Sequence, residues 1–465
     1  VSANVQIIGQ RQFAWLICSL LTGGGLLSIQ HEIFRIAKLD AWMTYLFPMI
    51  YALLVGYVLT RLAIRFPRKH LFEINSIVFG RFFGTFVNVV ILLHFWFILM
   101  RTTKTFNQFI GTTLLPNTPP GILIMLFMLL LLFYGKTSVE VVARVNELFF
   151  PFFLLQILLS PIVLSNEIDR HLIQPVMTLD MTNYSFSSIL GIGWFGDILV
   201  AGAFLHTLWS SGQLRTSLRH GIILSAVLLS LSMFMQLVVL GPVIPGNMIY
   251  PNYSLVQHIH ITDFLDRVDL FILSIWYPIT ACKIILIYLA FLTGIASLFK
   301  QRDYSVINSP ISLFLLLTTF LAFRSTTEVL SFENFSSPVI ALSYQPLLLI
   351  ILMIGARRFP ITKETEHSPK AKEQGRQGGR GGRRNEVREG WLERRPPAVW
   401  GLLGNGLLAL CVILSLMGLA LGKSYALAGI LCASGYALCL LIAFAISQIE
   451  LKQTAKLNPR PPSVR

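Results

Sequence analysis

Charge is what this chain has least of. Asp, Glu, Lys and Arg make up 13% of its 465 residues, about half the share of a soluble chain. With 54% hydrophobic residues and a mean hydropathy of +0.68, an ordinary water-soluble fold is excluded. Cysteine is scarce as well. Cys18, Cys282, Cys411, Cys432 and Cys439 all lie inside apolar segments, with no disulfide framework and no metal-like spacing, so they read as small hydrophobes. No nucleophile–base–carboxylate set can be assembled at catalytic spacing. An enzyme is not expected, and no cofactor is implied. Gly191-x-Gly193-x-x-Gly196 matches the dinucleotide fingerprint as a string, but it follows no strand and lies in an apolar run, which removes it. His258-Ile259-His260 has two imidazoles and no third ligand at useful spacing, so it reads as a loop pair.

What the chain does have is apolar runs near the 20 residues that cross a bilayer. They fall at 13–34, 42–60, 82–100, 120–134, 147–165, 185–209, 221–240, 270–298, 309–323 and 337–355, with two more at 398–421 and 425–447. This is the pattern of an all-α polytopic membrane protein. The first run is too long for a cleaved leader.

Within it stands Thr22-Gly23-Gly24-Gly25-Leu26. Three glycines in a helix interior cost about 1 kcal/mol each relative to alanine, and freed backbone at membrane depth needs protein or a cavity to cover it. The segment therefore reads as a broken helix. A second Gly-interrupted run, Gly191-Ile192-Gly193-Trp194-Phe195-Gly196-Asp197, opens the second set of five spans. Ten spans divide as five plus five, and an odd number per half inverts one half relative to the other. That is a LeuT-like inverted repeat with its site near the midplane, between spans one and six.

Orientation follows from basic loops. With the N-terminus inside, 14 Lys and Arg before the linker fall on the inner side and 7 on the outer, Arg101 and Lys104 being counted outside. Both termini are then cytoplasmic. Residues 67–80 suit a short amphipathic helix on the inner surface. Of the +15 net charge, residues 357–396 hold 12 Lys and Arg against 6 Asp and Glu. Such a Gly- and Arg-rich stretch cannot bury a core. It suits anionic membrane lipids better than nucleic acid. The expected organisation is a permease-like body over 1–356, a cytoplasmic linker over 357–397, a two-helix transmembrane appendage over 398–450 and a basic tail over 451–465.

Ionisable groups at membrane depth are functional candidates by default. Asp197 and Lys283 are the sharpest pair. A half-helix N-terminus after a break attracts anions, so an amino acid carboxylate could dock there while Asp197 takes an amine or a proton. Lys283 could stand in for a coordinating cation. The competing reading is that the two simply pair and hold the bundle. Arg101 and Lys104 close the third span, and His94 and His206 read as packing residues. The residues expected to line a ligand site are Thr22, Gly23, Gly24, Gly25, Gly191, Gly193, Phe195, Gly196, Asp197, Trp276 and Lys283, with Trp194 as a further apolar wall.

Several stretches together resemble a known family. They are Arg11-Gln12 before the first span, Asp40-Ala41-Trp42, Arg65-Phe66-Pro67-Arg68-Lys69 with Glu73 and Phe79-Gly80, Leu115-Pro116-x-Thr118-Pro119, and Glu140-x-x-Ala143-Arg144-x-x-Glu147-x-x-Phe150-Pro151. Phe195-Gly196-Asp197 and Ile275-Trp276 with Lys283 complete the set. Over about residues 8–356 the chain resembles the B subunits of bacterial spore germinant receptors, the spore germination permeases of the amino acid–polyamine–organocation superfamily. The resemblance implies a receptor in the spore inner membrane, beside an A subunit and a lipoprotein C subunit. It would sense a small nutrient, typically an amino acid, and trigger germination. Two departures stand out: Leu26-Leu27-Ser28-Ile29 where the family often has proline, and the C-terminal extension, which looks by topology like a fused two-span D subunit or a read-through appendage. Two other readings stay open, a proton-coupled amino acid or polyamine transporter and a structural subunit that binds no ligand.

Overall fold

The computed structural model describes residues 8–259, 268–301, 303–360 and 397–457. The linker from 361 to 396, His260, Arg267, Arg302 and the tail beyond 457 lie outside the described residues. The chain begins with α1 (Gln10–Gly25) and α2 (Ile29–Ala37), followed by a 3-10 turn (Lys38–Met43). Next come α3 (Leu46–Arg65), α4 (Leu71–Thr113), α5 (Pro120–Tyr134) and α6 (Val139–Val163). In the second half, α7 (Met181–Phe195) runs into a 3-10 helix (Gly196–Thr207) and then α8 (Ser211–Leu240). Short helices α9 (Ile244–Asn247) and α10 (Pro251–Gln257) precede α11 (Val268–Leu298) and α12 (Ser305–Leu321). Then α13 (Thr326–Ser331) passes through a π-helical turn (Phe332–Ser336) into α14 (Ser337–Ala356). The last two are α15 (Pro397–Leu421) and α16 (Ala426–Leu457). The final helix thus carries on past 450, through the first part of the stretch expected to be a tail.

Among the described residues nine helices are long and apolar enough to cross a membrane, and the bent α1–α2 pair makes ten. α5 and α12, at 15 and 17 residues, are shorter apolar helices. The protein is an integral, multi-pass, all-α membrane protein. We call the end of the bundle where α1 starts proximal, and the other end distal.

Two sequence signals set the centre. After the glycine triplet the chain turns by 67° between α1 and α2, as the broken first span requires. The freed backbone is covered by protein. The Leu26 and Leu27 N–H groups donate to Thr22 and Gly24 carbonyls at 3.2 and 3.0 Å, and the Gly23 carbonyl accepts from Thr280 Oγ1 at 3.0 Å. The sixth span behaves differently from expectation. It is helical through Phe195 and tightens to 3-10 geometry at Gly196 without a gap, so no half-helix N-terminus is exposed beside Asp197.

At the proximal surface the expected amphipathic helix is the first limb of α4. It ends at Gly80, whose φ of +77° lies in the left-handed region that glycine enters freely. Asn88 then ties the two limbs together, accepting from Asn75 Nδ2 at 2.7 Å and donating to the Phe72 carbonyl at 2.9 Å. Beyond that kink α4 runs unbroken to Thr113, well past the expected end at 100. This corrects the count of outer charges, because Arg101 and Lys104 are buried helix residues and not loop residues.

The α15–α16 hairpin docks on α8. His220 Nδ1 meets Ser447 Oγ at 2.9 Å, the Phe444 ring stacks on His220 at 5.6 Å, and Tyr436 meets Trp42 edge-on at 5.6 Å. Arg219 pairs with Glu450 at 3.2 Å.

Candidate functional site

The bend in the first span is surrounded by four buried charges from four helices. Asp197 opens the 3-10 segment, Arg101 comes from α4, Lys283 from α11 and Glu333 from the π-helical turn. None is more than 1% exposed. Asp197 accepts from Arg101 through Oδ1 at 2.9 Å and from Lys283 through Oδ2 at 3.0 Å. Arg101 reaches on to Glu333 at 3.4 Å. Glu333 also accepts from Thr105 Oγ1 at 2.8 Å and from Ser28 Oγ, at the bend itself, at 3.1 Å. The connectivity is a line, Glu333–Arg101–Asp197–Lys283, with two cations and two carboxylates. Carrying its own counter-charges is what makes such a group tolerable at this depth.

Trp194 completes the arrangement. Its ring lies 4.6 Å from the Arg101 guanidinium carbon and 4.6 Å from Lys283 Nζ, a desolvated double cation–π contact. The ring can sit there because Gly24 has no side chain. A Cβ at Gly24 would overlap the Trp194 ring and come within 3.2 Å of Lys283 Nζ.

The expected site residues divide. Gly23, Gly24, Asp197 and Lys283 do meet, with Gly23 3.4 Å from Thr280 Cα and 3.5 Å from the Lys283 side chain by the same measure. Asp197 and Lys283 pair directly, at 3.0 Å. Thr22 turns its hydroxyl back to the Cys18 carbonyl at 2.7 Å. Gly25 faces Leu229 at 3.5 Å. Gly191 and Gly193 do not line a central space. They are clearances for Pro48 and Pro338, each 2.7 Å from where a Cβ would stand, and Gly196 abuts Ala341 and Gln345 at 3.2 and 3.3 Å. Phe195 is buried against Tyr45, ring centroids 6.0 Å apart.

Trp276 belongs elsewhere. Seven residues before Lys283, it lies about 10 Å away along α11 at 1.5 Å per residue. There it lines a distal pocket of about 60 Å³ with Leu26, Leu27, Phe109, Gln156 and Tyr250. That is room for about two waters. Gln156 Oε1, the Tyr250 hydroxyl and the Trp276 indole N–H are buried there without a hydrogen-bond partner. His94, 3% exposed, packs edge-on against Tyr344 at 5.4 Å, with neither ring nitrogen bonded. His206 pairs with the His70 ring at 5.8 Å. Among the described residues no three His, Cys, Asp or Glu side chains are placed to hold a metal ion.

Glu333 is the member of the buried charge line that sequence reasoning missed. It stood outside the expected span at 337–355. Ser325-x-x-Glu328 is a helix-start signature eight residues earlier, and Ser325 Oγ does accept from the Glu328 N–H at 3.2 Å. Reading it would have placed Glu333 at membrane depth.

An all-helical bundle with a broken first helix and a buried charge network at the break defines a membrane protein of the transporter and receptor type. Against solved structures, the chain is similar to Mhp1, a nucleobase-cation-symport-1 family transporter in a closed conformation with bromovinylhydantoin bound. The TM-score is 0.54 at 10% identity, covering 100% of this chain and 98% of Mhp1. That likeness establishes the LeuT-like fold. The sequence model of the family described as spore germination protein matches residues 7–328, and the chain belongs to that family, the B-subunit family of germinant receptors. It is 25% identical over 329 residues to the protein YfkT of Bacillus subtilis (strain 168), covering 69% of this chain and 88% of that one. To spore germination protein KB of the same organism it is 24% identical, covering 68% and 86%.

Proposed function

We propose that this protein is the B subunit of a spore nutrient germinant receptor. A small nutrient, an amino acid being the natural class, binds where the first and sixth spans meet, and binding triggers germination. The observation that carries this reading is the placement of the Glu333–Arg101–Asp197–Lys283 line at the bend of the first span, where Ser28 touches Glu333 at 3.1 Å. A nutrient entering through the pocket at Leu26, Leu27 and Trp276 has to widen it. The bend moves with the pocket wall, and Ser28 transmits that movement to the buried charges. Backbone near Gly23 and Gly24 and the charges of Asp197 and Lys283 then become available to the ligand's ammonium and carboxylate groups. On this reading the proximal end is cytoplasmic, the protein sits in the spore inner membrane, and A and C subunits carry the signal onward.

The same buried line favours a second reading, a proton-coupled amino acid or polyamine transporter. An acid–base pair at membrane depth is what proton coupling uses. One experiment separates the two. Spores with the gene deleted or intact are exposed to amino acids, sugars and nucleosides, and the chain in proteoliposomes is tested for proton-driven uptake. Loss of response to one nutrient class on deletion, restored by the intact gene and weakened by Trp276→Ala, supports the receptor. Normal germination in a deletion strain that also lacks related receptors, with uptake present, overturns it in favour of the transporter. A response that survives Trp276→Ala and Gln156→Leu together points to a subunit that binds no nutrient.

A further inference from the structure

A groove of about 410 Å³ runs between α3, α8 and the appended helix α15. Most of its wall is apolar, with Ile50, Leu53, Leu54, Ile222, Leu408 and Val412. Its proximal end is not: Tyr57, Thr60, Arg215, Arg219 and Asn405 stand there. Arg219 is only 7% exposed. One of its terminal nitrogens donates to the Gly401 carbonyl at 2.9 Å and faces Glu450 at 3.2 Å. Its Nε and its other terminal nitrogen are buried without a partner, an expensive condition for a guanidinium. α15 is shaped for these arginines. A Cβ at Gly404 would overlap the Arg219 guanidinium, and one at Gly401 would stand 3.3 Å from Arg219 and 3.6 Å from Arg215. Arg61, which donates to the Tyr57 hydroxyl at 2.9 Å, adds a third cation at the same end. Glu450 opposes Arg219 and Arg215.

We infer that this groove binds one anionic phospholipid of the surrounding membrane. The phosphodiester is held by Arg215, which is exposed at the groove, with the buried charge of Arg219 behind it, and an acyl chain lies along α3, α8 and α15. Charge complementarity and polarity order carry the assignment. The Arg215 fork can pair with a phosphate in a fixed geometry, and the neighbouring Arg219 charge favours an anion at that point. The cationic end lies at the basic end of the bundle, where headgroups sit, and the apolar wall continues from it into the bilayer. A free phosphate would leave that wall empty. The site exists only with the C-terminal helix pair in place, because α15 supplies Asn405, Leu408, Ala409 and Val412. The appendage thereby acquires a role of its own.

The test uses the full chain purified in detergent, with phosphatidylglycerol and phosphatidylcholine of identical acyl chains, read by native mass spectrometry and thermal unfolding. Phosphatidylglycerol should be retained and should raise the unfolding temperature at concentrations at least about tenfold below phosphatidylcholine, since each arginine near the headgroup level adds to anion binding. Arg215→Gln should weaken phosphatidylglycerol about fivefold and weaken phosphatidylcholine, whose choline cation offsets its phosphate, by less. Ala409→Trp, at an exposed position that faces the groove, should weaken both. Arg219 is left intact so that Glu450 keeps its partner. Equal response to the two lipids would overturn the proposal in favour of unselective filling by apolar chains. An unchanged phosphatidylglycerol response in both variants would place the lipid elsewhere, and stabilisation by inorganic phosphate alone would overturn the lipid assignment.

Discussion

Because the buried charges form a line, removing a charge has a position-dependent cost. Asp197→Asn takes away the one carboxylate that Lys283 touches, at 3.0 Å, and leaves a fully buried ammonium on the Trp194 face. Orphaning a buried ion costs about 3–5 kcal/mol. Lys283→Met removes an end of the line. Asp197 still holds Arg101 at 2.9 Å, so the loss is closer to that of one charged hydrogen bond, about 1.5–3 kcal/mol. The double variant Asp197→Asn/Lys283→Met leaves the neutral pair Arg101–Glu333 and no orphan. It should therefore be more stable than Asp197→Asn alone, with a coupling near the upper end of the roughly 0.5–3 kcal/mol seen for contacting residues. The assay is thermal unfolding of the four proteins in one detergent, at the same lipid concentration for all. Double-variant losses that equal the sum of the two single losses would refute the linear network. So would an Asp197→Asn loss below about 1 kcal/mol.

Three further outcomes follow from contacts elsewhere. Gly24→Ala should destabilise by about 1–3 kcal/mol through overpacking against Trp194, whereas Gly25→Ala, with its nearest neighbour at 3.5 Å, should be nearly neutral; thermal shifts of the pair decide it. Glu450→Gln should lower stability by about 3–5 kcal/mol because Arg219 loses its counter-charge, while Glu140→Gln, which breaks the exposed pair with Arg144, should change it by under about 1 kcal/mol. His70, at the proximal surface just before α4, has its pKa pushed down to about 4 by burial and then by neighbouring Lys69. The folded state therefore favours the neutral ring. The associated stability is present above the unfolded pKa of about 6.5 and is lost as pH falls toward 4, so His70→Gln should flatten the unfolding temperature between those pH values. An equal acid slope in wild type and variant would assign that slope to other groups.

The fold was legible where local composition decides structure. Apolar runs marked the helices, the glycine triplet marked the bend, and Gly80 ended a surface helix near its expected place. What failed was inference from glycine to open space. Gly191 and Gly193 carried the same signal as Gly24 in one dimension, yet they make room for Pro48 and Pro338, contacts about 145 residues apart in each case that no local pattern announces. Arg101 was misplaced because a basic residue at the end of an apolar run usually leaves the membrane. Phe106, Phe109 and Ile110 continue its helix at one-turn spacing, and they kept it buried.

The difference between a bend with free backbone and a bend sealed by side chains bears on how the protein works. The Gly23 carbonyl is taken by Thr280 and the Leu26 and Leu27 N–H groups by the preceding turn. A ligand at this point cannot simply add hydrogen bonds to idle donors. It has to exchange with bonds already made, so its net free energy of binding is the difference between two satisfied states. Such a site yields a modest equilibrium shift unless the ligand's own charges replace part of the buried line, as an ammonium replacing Lys283 at Asp197 would do. An α-amino acid with its amine blocked should then bind the distal pocket and fail to trigger germination. Germination by the blocked amino acid at the potency of the free one would refute a signal routed through Asp197 and Lys283.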